Sequence, residues 1–115
     1  MNHHKTKRKF GRVQKVRNAL MKSLALALVV NGKIKTTDAK ARELRPYMEK
    51  MVTQGRLSTV ATRRLLAGKI GPEAAEKLVT EIAPKYMDRN GGYTRITKLP
   101  RRVSDGSLMS VIEFV

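Results

Sequence analysis

The residues with chemical capacity in this chain are cations, and they come in a row. Lys5, Lys7, Arg8, Lys9, Arg12, Lys15, Arg17, Lys22, Lys33 and Lys35 all precede the first carboxylate, Asp38. Like charges at this spacing repel, so a segment of this kind has no reason to collapse on itself. The counter-charge has to come from outside the chain. Nucleic acid, with a phosphate every few ångströms, comes before acidic lipid as the source. The whole chain holds 25 Lys and Arg against 9 Asp and Glu, a formal net charge of +16, and most of the excess lies in its first third.

Residues able to catalyse a reaction are scarce. The two imidazoles, His3 and His4, sit among cations that disfavour a bound metal ion. Cys is absent, which excludes disulfides, thiolate zinc sites and Cys nucleophiles and suits a reducing compartment. Gly91-Gly92 follows a helical pattern and precedes a strand, the reverse of the order a phosphate-binding glycine loop requires. The six Met residues are scattered through helical faces and read as core filling. No enzyme activity, cofactor, metal site or small-molecule substrate is expected.

Further candidate contacts continue the basic theme. Lys15 and Lys22 fall opposite the apolar stripe of the first helix and extend the cationic surface of the arm. Arg63-Arg64 reads either as a solvated helix face or as a phosphate clamp. Tyr93, Arg95 and Lys98 flank a turn, and Arg101 and Arg102 in the next loop make a second basic cluster. On an alternating strand Tyr93 and Arg95 share a side, offering a stacking ring and a guanidinium to one RNA feature, while Ile96 points into the core. No zinc finger, zipper or helix-turn-helix with a polar recognition helix is visible. An irregular arm with basic loops suits a folded RNA, whose crevices an extended peptide can enter.

The elements that must position these residues follow from periodicity. Residues 1–12 lack an apolar repeat and read as an extended basic arm, and residues 13–115 as one α+β domain. Val13, Val16, Leu20, Leu24, Ala27 and Leu28 predict a helix to about Val30, stopped at Asn31-Gly32. Lys33–Thr36 alternates as a strand, and Thr37-Asp38 offers cap chemistry for a second helix with Ala41, Leu44, Met48, Met51 and Val52 on one face. Pro46 lies inside that helix and predicts a kink near Arg45. Ser58 is the expected cap of a third helix, running through Val60, Ala61, Leu65 and Leu66 to Gly68. Gly71-Pro72-Glu73 opens a fourth, with Ala75, Leu78, Val79 and Ile82 inward and Pro84 tightening its end. After Asn90-Gly91-Gly92 come two strands, YTRITKL and LMSVIEF, expected to form a hairpin. The expectation is two layers, four helices on a small three-stranded sheet, in the order α-β-α-α-α-β-β.

These residues resemble a known family. MNHHKTKRKFGR, IKTTDAKARELRPYMEKMVTQGR, APKYMDRNGGYTRITK and the ending VIEFV are together similar to the bacterial large-subunit ribosomal protein seventeen family, over nearly the whole chain. The resemblance implies a structural constituent of the large ribosomal subunit that serves translation. It would bind large-subunit rRNA near the peptide exit side, beside neighbouring large-subunit ribosomal proteins. Carried onto matching positions, it implies RNA contacts from His3, Lys5, Arg8, Lys9, Arg12, Arg17, Lys40, Arg63, Arg64, Arg89, Tyr93, Thr94 and Arg95. Lys7 joins the candidate RNA contacts through the charge of the arm and not through the resemblance. Asn2, His4 and Val16 depart from the family's usual Arg, Arg and His. With no apolar run long enough for a membrane span and no presequence or long tail, a cytoplasmic bacterial protein is expected, without a membrane partner. A free-standing basic protein that binds DNA or acidic membrane is the competing reading.

Overall fold

A computed structural model describes residues 14–115. The arm, with His3, Lys5, Lys7, Arg8, Lys9 and Arg12, and Val13 at the start of the apolar stripe lie outside the described residues. Helix α1 spans Gln14–Asn31. Only its second half meets the rest of the domain, where Ala25, Leu28 and Val29 are buried. The expected stripe continues toward its start, but Val16 is 47% exposed and none of residues 14–20 is buried among the described residues. Gly32, at φ 81°, ends the helix in the left-handed conformation that costs glycine least, and its N–H reaches the Leu28 carbonyl at 2.8 Å.

Strand β1, Lys33–Thr37, leads straight into α2, Asp38–Gly55. Thr37 is the N-cap, its hydroxyl accepting from the Lys40 N–H, and Asp38 places a carboxylate at the positive end of the helix dipole. The helix runs on through Pro46, which faces solvent. Ala41, Leu44, Met48, Met51 and Val52 are all fully buried, as their spacing predicts. Each large side chain among them contributes roughly 1.5–3 kcal/mol by leaving water. Gly55 closes α2 at a close approach, where a Cβ would lie 3.4 Å from that of Ala83.

Helix α3, Val60–Ile70, starts one residue later than expected and ends two later. Ser58 does not cap it. Ser58 sits at φ 56°, whereas Thr59 has the extended backbone that a cap requires. Thr59 and Thr62 form a reciprocal capping box, with N–H to hydroxyl distances of 3.1 and 2.9 Å. Of the apolar residues along it, Leu66 and Ile70 are buried, while Val60 and Leu65 are 65% and 46% exposed.

Helix α4, Pro72–Lys77, continues into a wider π turn over Leu78–Ile82 and a tighter 3-10 turn over Ala83–Tyr86. Pro84 has no N–H for the Thr80 carbonyl, so the helical bonding pattern must change there. The change keeps Leu78, Val79, Ile82, Ala83 and Tyr86 all buried.

Strands β2, Thr94–Leu99, and β3, Met109–Phe114, form the expected antiparallel hairpin, and β3 also pairs with β1, giving the order β1-β3-β2. Ile34, Ile96 and Ile112 are directly opposite one another on the helix-facing side. Lys33, Glu113 and Arg95 form a row across the other face. The architecture is α+β, four helices packed on a three-stranded antiparallel sheet.

Candidate nucleic-acid interface

The cations differ in what the fold leaves them to do. Lys15, Lys22 and Arg64 are exposed and make no ion pair among the described residues. Arg17 is half-buried and donates to the Gln14 side chain one turn earlier. Lys40 is half-buried in the first turn of α2. The acid-free run of the sequence thus continues onto the first turns of α1, which are exposed among the described residues. Arg63, by contrast, pairs with Glu76 of α4 at 2.7 Å, which ties α3 to its neighbour.

The turn before β2 is held mainly by Glu49 of α2 and by Arg56, the residue that follows the helix. Arg89 donates to the Gly92 carbonyl at 3.1 Å and lies 5.9 Å from the centre of the Tyr86 ring. Burial raises the Tyr86 phenol above its ordinary pKa, and the nearby Arg89 opposes that shift. Arg56 donates to the carbonyls of Arg89 and Met87 and, at 2.7 Å, to the Tyr93 hydroxyl. Glu49 accepts from the Thr94 hydroxyl at 3.1 Å and from the Gly92 N–H.

Two expected surface contacts are therefore internal. Tyr93 is fully buried, and its ring lies 5.2 Å from that of Tyr86. The alternation rule fails for it because β2 begins only at Thr94, so Tyr93 belongs to the turn that docks on α2. Its ring is not available to stack on a base. Thr94 is 3% exposed, with its hydroxyl held by Glu49. Arg95 does lie on the outer face, where it donates to Glu113 at 2.9 and 3.1 Å.

The far end of the hairpin carries the rest. Arg102 grips Asp105 through two bonds of 3.0 and 2.8 Å, which holds the Asp105 carboxyl far below the usual carboxylate range and raises the guanidinium in return. Arg101 donates to the Gly106 carbonyl at 2.9 Å. Lys98 makes no ion pair among the described residues and faces a shallow groove of about 400 Å³ between β2 and α2. Asp38, Arg42, Arg45 and Ile96 line the same groove. Asp38 is held below its ordinary pKa by the hydrogen bond from Ser110 and by the charges of Arg42 and Lys98, against some desolvation. Sequence reading missed Arg42 and Arg45. Their spacing on the exposed side of α2 was a signal, but only the packing of α2 on β2 brings them to Lys98.

Among the described residues no group of three His, Asp or Glu stands together to hold a metal, and no helix is long and apolar enough to cross a membrane.

Residues 20–115 match the family model described as ribosomal protein L17. The chain belongs to the ribosomal protein L17 family. Members of the L17 family are structural components of the ribosome and not enzymes. Proteins similar to this L17-family chain over its full length include the large ribosomal subunit protein bL17 of Campylobacter jejuni, 51% identical over 116 residues and 99% covered. That of Helicobacter acinonychis is 49% identical and 100% covered, and that of Persephonella marina is 49% identical and 95% covered.

Proposed function

We propose that this chain is a structural constituent of the large ribosomal subunit that binds large-subunit rRNA through its basic arm and the cationic surface continuing from it, near the peptide exit side. The observation that carries the reading is the first third of the chain, where ten successive charged residues are all cations and the exposed turns of α1 extend them. Nothing within that segment neutralises them, and an RNA backbone would. The names of its relatives support the subunit, and the family resemblance supports the exit side and the neighbouring ribosomal proteins. The place of work is the cytoplasmic ribosome. Lys15, Arg17, Lys22, Lys40, Arg64, Arg89, Arg95, Lys98, Arg101 and Arg102 are the proposed contacts among the described residues, with Arg63 shared between RNA and Glu76.

Sedimentation of a cell extract on a sucrose gradient tests this. The protein should travel with the large subunit and leave it only at high salt, whereas a protein at the top of the gradient at low salt, or on DNA or membrane, contradicts the reading.

A further inference from the structure

The groove between α2 and β2 is built more tightly than a chance meeting of surface cations. Ser110, fully buried on the central strand, donates its hydroxyl to Asp38 Oδ1 at 2.7 Å. The other oxygen of Asp38 accepts from Arg42 Nε at 2.8 Å. The carboxylate is thus tied to the core on one side and orients a guanidinium on the other. Arg45, one turn along α2, is only loosely paired with Glu49 at 3.6 Å, and Glu49 already accepts from Thr94 and Gly92. Lys98 comes in from β2 with no ion pair among the described residues. Three cations therefore face one carboxylate that is already accepting two bonds.

Resting on the rRNA-binding reading above, we propose that this groove is a phosphate clamp that grips one backbone phosphate of the large-subunit rRNA. Arg42, Arg45 and Lys98 donate to the phosphate oxygens. Asp38 is a positioning residue that holds Arg42 in place. An arginine whose direction is fixed before binding loses less freedom on meeting its anion, which favours the use of a buried tether here. Ile96 forms the apolar floor and contributes no polar group of its own.

Asp38→Asn decides between a clamp and plain charge attraction, because the two give opposite signs. The substitution raises the net charge by one and retains an acceptor for Ser110, but weakens the hold on Arg42. Binding of the full chain to a large-subunit rRNA transcript, measured across a salt series, should weaken about fivefold for Asp38→Asn, by analogy with the loss of a single charged contact. Arg45→Gln and Lys98→Gln should each weaken it about tenfold, and because the two remaining cations still face the same phosphate, each should lower the slope of log K against log salt by less than the roughly 0.7–0.9 of a whole phosphate. These two exposed side chains carry the test if Asp38→Asn shows a lowered thermal midpoint. Lys50→Gln, the same charge change on α2 outside the groove, should alter affinity less than about twofold. Tighter binding by a well-folded Asp38→Asn variant, or equal losses for Lys50→Gln and Arg45→Gln, would overturn the clamp and leave rRNA binding standing. A parent chain that does not bind the transcript would overturn both.

Discussion

Arg56 Nη1 donates to the Tyr93 hydroxyl at 2.7 Å, and this bond places the aromatic ring of the RNGGY turn inside the protein. The same guanidinium holds the Arg89 and Met87 carbonyls, so the side chain of the residue that follows α2 fastens the whole turn. The glycine pair and the tyrosine are there to dock β2 on α2, and the cations around them remain for other uses.

Tyr93→Phe should lower stability by about 1–3 kcal/mol, the cost of leaving buried hydrogen-bonding groups without a partner. Its affinity for rRNA, measured where the variant is folded, should equal that of the parent. Thermal unfolding and filter binding check the two halves; an unchanged midpoint would contradict the docking role.

Ile112 lies at the centre of β3, between Ile34 and Ile96, and is fully buried. Ile112→Ala should cost roughly 2–5 kcal/mol in urea unfolding. A cost under about 1 kcal/mol would mean that the sheet is not packed on the helices as described.

Glu113 stands between Lys33 and Arg95 on the outer sheet face. Exposed ion pairs contribute about 0–1 kcal/mol, so Glu113→Gln should scarcely change stability. It should tighten rRNA binding and steepen its salt dependence, because Arg95 is freed. Arg95→Ala should do the reverse, again with little change in thermal midpoint; if neither variant alters binding, the outer face of the sheet takes no part in recognition.

Acid should destabilise the protein partly through Asp38 and Asp105. Both carboxyls have folded pKa values below their ordinary one, so they bind protons less readily folded than unfolded. Their stabilisation is therefore complete above about pH 4 and is lost as pH falls through the lower folded values. Thermal midpoints measured from pH 6 down to pH 2 should fall less steeply for Asp38→Asn with Asp105→Asn than for the parent, and parallel curves would contradict the assignment.

Local chemistry was legible where one element decided it. The stripe from Ala41 to Val52 needed only helical spacing, and Asn31-Gly32 only the left-handed conformation of the glycine. The face of α3 was not legible, because Leu65 and Ile70 are equally apolar and the approach of α2 and α4 determines which is buried. Tyr93 misled because strand alternation says nothing about a residue in the turn before the strand. Arg42 and Arg45 escaped notice because only folding brings them into one groove with Lys98, more than fifty residues away. The pairing of Arg63, Arg95 and Arg102 with acids is likewise set by tertiary packing or turn geometry that charge counting does not contain.

The central claim is that the acid-free first third of the chain binds rRNA phosphates, and the salt dependence of binding tests it most directly. Affinity for a large-subunit rRNA transcript should fall steeply with salt for the full chain, with log K changing by roughly 0.7–0.9 per unit of log salt for each phosphate neutralised. A chain lacking residues 1–12 should bind more weakly and with a shallower slope by several such contacts. The same slope and affinity with and without those residues would contradict the account.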